Sequence, residues 1–502
     1  MANHSSWAGT ADSFFGINFA KFQFSRRSWK SILFIVGLGF YLSTALVNIG
    51  IIALDDYEFG IARTIPAQTT SYSYIISQRA IRSPTPTLIL AFLGKLGLSL
   101  GLQDPADQLR FVLFAIAFIS FLTQSRFVTW HFSGHSGIEP QARNFKQEIS
   151  LFLIGCYFLC PLFYSRPMVE NLCAPFLTMS AYFACVYFAT NKRSALVFAV
   201  ITITISAMLR SQAGVCFIGL LGLVAWKRSL KDWIALSVAG LVCFVLSGAL
   251  DWYLTGTFHG SLLSYVDYNI KYSSVYGVQP FYVFTLLLLA VTIPPTLLSK
   301  YRGFDWKTEY QFLIPTLVYL LTFLIAHSLV PHKEDRFMVP ILGIILILMT
   351  PLLNYFLVTP GNQWRVWYFL GLNLILLPLA SYNIAQNNTI GLVRFLHHNP
   401  QIKTVVGVDE TLLLYPKAFS LSPVTDIKMS SEDVSQLRGG DCDSVIAVRH
   451  DLKNGLSNLD DFYSKVAEFR PGILEQIIVL ANPKRNFRRG AIEVYADKQC
   501  QF

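Results

Sequence analysis

Long apolar stretches recur between residues 32 and 386, and short segments rich in charged residues separate them. A stretch of about 20 apolar residues can cross roughly 30 Å of hydrocarbon as an α-helix, which rises about 1.5 Å per residue. The pattern therefore predicts an all-α polytopic membrane protein with about eleven transmembrane helices. The predicted spans are 32–54, 108–125, 148–165, 170–190, 194–209, 211–226, 232–250, 281–298, 311–330, 338–358 and 366–386.

One further apolar stretch, 88–102, differs from the others because Lys95 lies near its centre. A charge in the middle of the bilayer costs roughly 2.5–3.5 kcal/mol on the scale of insertion measurements. We therefore predict that this stretch lies in the membrane interface as an amphipathic segment. Without it, the spans place most loops rich in Lys and Arg, including those of Lys227 and Lys300, on the cytoplasmic side. The segment after the last span then lies outside, in the lumen or the periplasm.

The apolar pattern stops after residue 386, and the remaining segment, about 115 residues, has the length of a small domain. Strand-like runs at 403–408, 443–448, 477–481 and 491–496, with helical stretches between them, predict a small α/β domain. The chain then divides into a cytoplasmic N-terminus (1–30), a transmembrane domain (31–386) and a soluble extracytoplasmic C-terminal domain (387–502). In an oxidising compartment, Cys442 and Cys500 of this last domain are predicted to form a disulfide.

The composition agrees with a membrane protein, because 53% of the 502 residues are apolar and 14% are charged. Soluble proteins carry roughly 25% charged residues. A net charge of +10 would indicate a nucleic-acid partner in a soluble protein, but here Lys and Arg lie mainly in short loops, where they set the topology. We therefore predict membrane lipid as a partner and no nucleic acid.

Charged residues are missing from the middle of the predicted spans and collect at their outer ends. Ion-coupled transporters usually need ionisable groups or broken helices at mid-membrane, so this distribution counts against a lipid or sugar transporter or flippase. The acidic residues at the outer ends are Asp55, Asp56, Glu58, Glu170, Asp251, Asp267, Glu334 and Asp335. Their positions predict a site at the outer membrane surface.

Two adjacent carboxylates, Asp55 and Asp56, directly follow the first span and precede Tyr57 and Phe59. They are either solvated acids at a helix end or a general base. Partial desolvation and mutual repulsion would raise the pKa of one carboxylate toward the working range of a base, which could then accept a proton from a sugar hydroxyl.

The second charged cluster is the turn His332-Lys333-Glu334-Asp335-Arg336-Phe337, between two long apolar spans. Many polar sequences would turn the chain here, but three potential cations in one outer loop oppose the positive-inside tendency. A phosphate ligand would explain them, since Lys offers a point charge, Arg a bidentate fork and His a third donor. A structural membrane scaffold, by contrast, has no use for such a turn.

This turn resembles the HKExRF signature of glycosyltransferase family twenty-two. The members of that family are the dolichyl-phosphate-mannose-dependent mannosyltransferases of GPI-anchor and lipid-linked-oligosaccharide assembly. Further similarities follow the order of the family's elements over residues 1 to about 360. They are Asp55-Asp56-Tyr57, Arg82-Ser83 with Pro86, Arg166 with Glu170, Arg210, and the loop from Asp251-Trp252-Tyr253 to Pro280.

The resemblance implies a GT-C type membrane fold and an inverting transfer of mannose from a polyprenyl (dolichyl) phosphate donor. It implies a lipid-linked glycan or glycolipid acceptor, with protein O-mannosylation as an alternative. No cofactor is implied, and a divalent metal is left open. The membrane would be the endoplasmic reticulum of a eukaryote or the inner membrane of a bacterium.

The resemblance and the residue chemistry together predict a division of labour. Asp55 or Asp56 would accept the proton of the acceptor hydroxyl. The donor phosphate, where negative charge develops, would be held by His332, Lys333 and Arg336. The predicted substrate-binding residues are Arg82, Glu170, Arg210, Asp251 and Glu334.

Overall fold

The computed structural model describes residues 26–53, 56–65, 82–133, 140–275, 277–292, 301, 303–410, 416–437, 441–450, 456, 459–482 and 489–500. Helices form most of this part of the chain, and a small sheet lies near its C-terminal end. The first sixteen helices are α1 (Arg26–Val47), α2 (Thr85–Ser99), α3 (Pro105–Trp130), α4 (Pro140–Cys156), α5 (Leu159–Tyr164), α6 (Val169–Thr190), α7 (Arg193–Leu209), α8 (Cys216–Lys227), α9 (Leu230–Thr255), α10 (Gly260–Tyr272), α11 (Val283–Thr292), α12 (Trp306–Tyr310), α13 (Ile314–Leu329), α14 (Leu342–Val358), α15 (Gln363–Tyr382) and α16 (Asn387–His398).

Short helical turns complete the membrane domain. Tyr57–Ile61 is a π-helical turn that continues into Ala62–Thr64, and Ser211–Val215 and Asp335–Ile341 are 3₁₀ turns that lead into α8 and α14. Within the described residues, six helices are long and apolar enough to cross a membrane, and four apolar helices are shorter. The six are Trp29–Val47, Pro105–Trp130, Val169–Thr190, Leu230–Thr255, Asp335–Val358 and Gln363–His398. The predicted all-α polytopic class is confirmed.

The helix ends follow from local sequence. Asp104 begins α3 by accepting hydrogen bonds from the backbone N–H groups of Ala106 (2.7 Å) and Asp107 (3.3 Å). Gly256 ends α9 with a φ of +78°, a conformation that a side chain would strain.

A predicted span, 148–165, is interrupted between α4 and α5. The side chain of Asn373 in α15 fills the gap, because its Nδ2 donates to the carbonyl of Cys156 (2.6 Å) and its Oδ1 accepts from the N–H of Phe158 (2.8 Å). Backbone groups freed inside a bilayer must find a partner, and here a distant helix supplies it.

Helices α1 and α4 are in backbone contact. A Cβ atom added to Gly37 would lie 2.8 Å from the Cα of Gly155, so neither position has room for a side chain. The hydroxyl of Tyr41 donates to the carbonyl of Ile154 (2.9 Å) beside this contact. Small residues at helix crossings allow this approach in membranes.

The segment predicted to lie in the interface forms α2, a helix of 15 residues. At about 1.5 Å per residue it rises roughly 22 Å, less than the hydrocarbon thickness of about 30 Å. Its Gly94 packs against the carbonyl of Thr64, where any Cβ would overlap the oxygen. Its position relative to the bilayer stays a prediction.

The C-terminal segment forms a five-stranded sheet in the order β2-β1-β3-β5-β4. Its strands are β1 (Thr404–Val408), β2 (Thr425–Met429), β3 (Ser444–Arg449), β4 (Tyr463–Phe469) and β5 (Ile492–Asp497), and its helices are α17 (Ser431–Gln436), α18 (Leu459–Phe462) and α19 (Ile473–Ala481). Strand β1 is parallel to β2 and β3, whereas β5 is antiparallel to β3 and β4. The predicted strands at 403–408, 443–448 and 491–496 are confirmed.

The prediction of a strand at 477–481 is wrong, because these residues belong to α19. The segment is apolar without a two-residue alternation, and such a run fits either a buried strand or a helix. Glu475 favours the helix, because its carboxylate accepts a hydrogen bond from the N–H of Gly472 (3.3 Å), the residue that precedes the helix.

The predicted disulfide between Cys442 and Cys500 is confirmed, with 5.4 Å between the Cα atoms. Strand β3 is antiparallel to β5, with Ile446 opposite Tyr495. Cys442, two residues before β3, and Cys500, three residues after β5, therefore lie at the same end of this strand pair.

Candidate active site

Asp56, one of the predicted site residues, lies in the segment where the helices meet the C-terminal domain. Segments that leave the helices here are residues 48–53 after α1, 165–168 before α6 and 330–334 after α13. The hydroxyl of Tyr57 accepts a hydrogen bond from the N–H of Ala418 (2.9 Å), which joins this end of the bundle to the 3₁₀ turn Pro416–Phe419. Burial raises the pKa of the Tyr57 phenol, although the N–H of Ala418 opposes the shift.

Asp56 forms a fully buried ion pair with Arg166, with 2.7 Å between Oδ2 and Nη2. Arg166 also donates to the carbonyl of Asn48 (2.7 Å) and to that of Gly50, and Asp56 Oδ2 accepts from the N–H of Ile52 (3.2 Å). The pair therefore fastens the segment after α1 to the segment before α6. Among the described residues, Asp56 Oδ1 has no hydrogen-bond partner.

Asp55, the other predicted base, lies outside the described residues. The choice of Asp55 or Asp56 as the general base therefore stays a prediction.

A second cluster joins residues from three parts of the chain. Glu170, in the first turn of α6, forms an ion pair with Arg210 and lies 3.9 Å from Nη1 of Arg336. Arg336 Nε in turn lies 2.6 Å from Glu334 Oε2, and the other oxygen of Glu334 lies 2.8 Å from His332 Nε2. We call these five residues the Glu170 cluster. The structure therefore brings together two predicted phosphate ligands and three predicted substrate-binding residues.

Lys333 points elsewhere. Its ammonium group donates to the carbonyls of Val330 (2.6 Å) and Gln279 (3.1 Å), and the residue is 3% exposed. Burial lowers the pKa of this amine. The contacts fasten the hexapeptide turn to the segment before α11, where the N–H of Gln279 also donates to Pro331 (3.0 Å).

Arg210 is the member of the cluster with the most unused donors. It is 7% exposed, and within the described residues its Nε and Nη2 atoms are buried without a hydrogen-bond partner. Its guanidinium lies over the ring of Phe337, 5.0 Å from the centroid. A buried guanidinium with open N–H groups is suited to an anionic group of a substrate.

Two further residues lie within electrostatic range of Arg210, and neither was predicted from the sequence. His327, near the end of α13, hydrogen-bonds the carbonyl of Phe323 through Nδ1 (2.8 Å), and its buried Nε2 has no partner among the described residues. Tyr265 lies on α10. Burial raises the pKa of its phenol, the nearby Arg210 and Arg82 oppose this shift, and Glu170 adds to it. The one sign of these two residues in the sequence is that His327 is a lone histidine in an apolar helix, where polar residues are often functional.

The described contacts of Arg82 and Asp251 are with residues outside the cluster. The Arg82 guanidinium lies over the ring of Phe59, 4.4 Å from the centroid. Both oxygens of Asp251 accept hydrogen bonds from Ser261, one from its N–H (2.8 Å) and one from its hydroxyl (2.5 Å). Asp251 thus joins the end of α9 to the start of α10.

One group of three candidate metal ligands occurs in the described part of the chain, and it includes none of the predicted site residues. Ligand atoms of Asp104, His397 and His398 lie within 4.8 Å of one another. Asp104 Oδ2 is 3.6 Å from His398 Nε2, whereas His397 Nδ1 accepts from the N–H of Leu421 (3.3 Å).

Comparison with solved structures identifies the fold. The chain is similar to ArnT from Cupriavidus metallidurans in its apo state, with a TM-score of 0.57 and 11% identity over 93% of this chain and 98% of ArnT. The structure of that ArnT bound to undecaprenyl phosphate gives a TM-score of 0.54 and 11% identity over the same shares. These neighbours are GT-C polytopic membrane glycosyltransferases, so the predicted GT-C fold is confirmed.

No curated protein matches the sequence. The model of the Alg9-like mannosyltransferase family, however, matches residues 67–406, which include the Glu170 cluster. This match covers more than half of the chain and agrees with the glycosyltransferase fold. The chain therefore belongs to the Alg9-like mannosyltransferase family and is a membrane glycosyltransferase.

Proposed function

We propose that the protein transfers mannose from a polyprenyl (dolichyl) phosphate to a hydroxyl of a lipid-linked glycan or glycolipid, with inversion, at the outer or lumenal face of the membrane. The observation that carries the proposal is the Glu170 cluster, in which a buried Arg210 keeps two nitrogen atoms, Nε and Nη2, without a partner in the described residues. The ArnT structure with bound undecaprenyl phosphate supports a lipid-phosphate donor by analogy of fold.

We assign Arg210 as the main residue that binds the leaving phosphate. As the bond between the anomeric carbon and the phosphate oxygen breaks, negative charge grows on the phosphate, and fixed donors in a site without water stabilise it. Arg210 offers Nε and Nη2, and Arg336 lies beside it on the same carboxylate, Glu170. Lys333, which the sequence placed on the phosphate, is assigned to holding the turn, because its ammonium group is already bound to two carbonyls.

We assign Asp55 as the general base that accepts the proton of the acceptor hydroxyl. Protonating Asp56 would leave Arg166 buried and unpaired, and removing one partner of a buried ion pair costs about 3–5 kcal/mol. Asp56 is therefore assigned a positioning role, next to a base that accepts the proton while the hydroxyl oxygen bonds the anomeric carbon. The products are the mannosylated acceptor and the polyprenyl phosphate.

The Cys442–Cys500 disulfide supports an oxidising compartment for the C-terminal domain. The contact of Tyr57 with Ala418 supports a site at the same end of the bundle as that domain. Both observations favour the lumenal or periplasmic face.

A reconstituted assay tests the proposal. The full chain in lipid nanodiscs is given tritium-labelled mannose on polyprenyl phosphate, with extracted glycolipids, lipid-linked oligosaccharides or a Ser/Thr-rich peptide as acceptor. We expect label in a lipid acceptor, and none when the donor is a nucleotide-linked mannose. Transfer to the peptide alone would instead assign protein O-mannosylation, and transfer from the nucleotide sugar would contradict the donor. Mass spectrometry of lipid-linked glycans from cells without the gene identifies the acceptor.

A further inference from the structure

Helix α19 of the C-terminal domain carries an aliphatic surface that the described protein does not cover. Its sequence is ILEQIIVLA, and none of its nine residues is buried. Ile473, Ile477, Ile478 and Leu480 are 61%, 53%, 39% and 81% exposed. Contiguous exposed aliphatic side chains on a soluble domain usually mark a contact with another surface.

The position of α19 indicates which surface this is. The N–H of Leu474 donates to Asn383 Oδ1 (3.0 Å), at the end of α15. The carboxylate of Glu475 accepts from the N–H of Gln386 (3.1 and 3.0 Å), three residues further along. Helix α15 lies in the last candidate membrane span, Gln363–His398, and its 20 residues rise roughly 30 Å, so an α15 that crosses the bilayer ends at the bilayer boundary. Helix α19 therefore starts at the bilayer surface.

The charge of the following sequence agrees with a lipid surface. Residues 484–489 include Lys484, Arg485, Arg488 and Arg489, and no Asp or Glu occurs between Glu475 and Glu493. Amphipathic helices at membrane interfaces combine an aliphatic face with nearby basic residues, which are attracted to anionic headgroups. A protein partner would not explain why the helix is fastened to the end of a membrane span.

We propose that α19 is a membrane-surface helix, whose aliphatic face enters the interface of the leaflet at which α15 ends. The helix holds one edge of the C-terminal domain against the bilayer. The hydrogen bond between Tyr57 and Ala418 holds the domain at a second point, beside the candidate active site. This inference does not depend on the identity of the sugar donor or acceptor.

Quenching by spin-labelled lipid tests the proposal on the full chain. Ile477→Cys, in a Cys243→Ser background, is labelled with an environment-sensitive fluorophore and placed in nanodiscs that contain 5-doxyl phosphatidylcholine, with or without phosphatidylglycerol. The control is Ile427→Cys, which is 37% exposed on β2, at the opposite edge of the sheet from β4, the strand that precedes α19 in the chain. We expect a blue-shifted emission and at least threefold stronger quenching at position 477 than at 427.

A second variant separates lipid contact from folding. Ile473→Glu with Ile478→Glu changes exposed side chains only, so the domain should keep its disulfide and its thermal transition, while quenching at position 477 falls to the control value. Equal quenching at 477 and 427 in both lipid mixtures would overturn the proposal. Protection of position 477 in a dimer, without quenching by lipid, would assign the face to a second copy of the chain and would also overturn it.

Discussion

Two buried ion-paired groups at one end of the helical bundle use the same chemistry in opposite ways. Arg166 donates hydrogen bonds to Asp56 and to the carbonyls of Asn48 and Gly50. Arg210 is paired with Glu170, but two of its nitrogen atoms, Nε and Nη2, have no hydrogen-bond partner in the described part of the protein. Both Nη atoms of Arg166 are bound to backbone carbonyls or to Asp56, which leaves only its Nε without a partner among the described residues, whereas Arg210 keeps more capacity for an anion.

The contrast shows that burial and charge alone do not assign a role to a residue. Arg166 and Arg210 are both buried and paired with a carboxylate, and only their remaining hydrogen bonds distinguish them. Satisfied donors contribute to the position of the chain. Open donors carry a cost that a ligand removes on binding. The following variants test this distinction in order of expected effect.

The largest expected difference is between Asp55→Asn and Asp56→Asn. Loss of the proposed base should lower turnover about 100- to 10,000-fold, with little change in thermal unfolding. Asp56→Asn should instead lower the free energy of unfolding by about 3–5 kcal/mol, because Arg166 loses its buried partner. Transfer assays and thermal unfolding in nanodiscs measure both. A stable but inactive Asp56→Asn, with an active Asp55→Asn, would move the base to Asp56.

Arg210→Gln should lower turnover about 100- to 1,000-fold, the effect of removing one donor from a site of developing charge. It should also weaken retention of a polyprenyl-phosphate analogue. Lys333→Met is the matched control, since this ammonium group is bound to carbonyls; it should lower thermal stability more than it lowers retention of the analogue. If Lys333→Met abolishes retention and Arg210→Gln does not, the phosphate belongs to Lys333 and the assignment is reversed.

The C-terminal domain contains a third polar network, around Glu493, which has no proposed ligand. Burial tends to raise the pKa of Glu493, but hydrogen bonds from Tyr495, His450 and Lys465 outweigh it and lower the pKa to about 2. A lowered pKa stabilises the fold above the ordinary value of 4.5, and this stabilisation is lost as the pH falls toward 2. We expect stability to fall between pH 4.5 and 2, and Glu493→Gln to flatten that fall in thermal unfolding. An unchanged profile in the variant would contradict the assignment.

The smallest expected effect is at the corner between α9 and α10. Ser261→Ala removes the hydroxyl that donates to Asp251 (2.5 Å), which should cost about 1 kcal/mol of stability. Because α10 carries Tyr265 beside Arg210, the KM for the donor should rise by less than about tenfold, with kcat nearly unchanged. A large fall in kcat would place Asp251 in the chemistry itself.

Much of the fold follows from the sequence, because long apolar stretches have few alternatives in a bilayer. The break between α4 and α5 does not follow, since it depends on Asn373, more than 200 residues away along the chain. Strands β2 and β4 were missed because they are edge strands with exposed polar positions, and the sequence TDIKM of β2 has no clear apolar period. The disulfide could be predicted without the pairing of β3 with β5, because Cys442 and Cys500 are the two cysteines outside the apolar spans.

The site was predictable as a set of residue types and not as a set of contacts. Glu170, Arg210 and Arg336 were singled out one by one, but their convergence on one carboxylate depends on how three helices pack. Lys333 illustrates the limit, because a lysine in a cationic turn looks the same in sequence whether it faces a ligand or a carbonyl. The assignment of Asp55 stays a prediction.

The contact between Gly37 and Gly155 has a consequence for mutational tolerance. Lipid tails are as apolar as leucine, so helices in a bilayer gain little from hiding large side chains and adhere instead through close backbone approach. A single methyl group at either glycine would have to push α1 and α4 apart. In this protein the residues with the least side chain should thus be among the hardest to replace, while the bulky exposed residues Ile35 and Leu46, 67% and 48% exposed on the same helix, should tolerate other apolar residues.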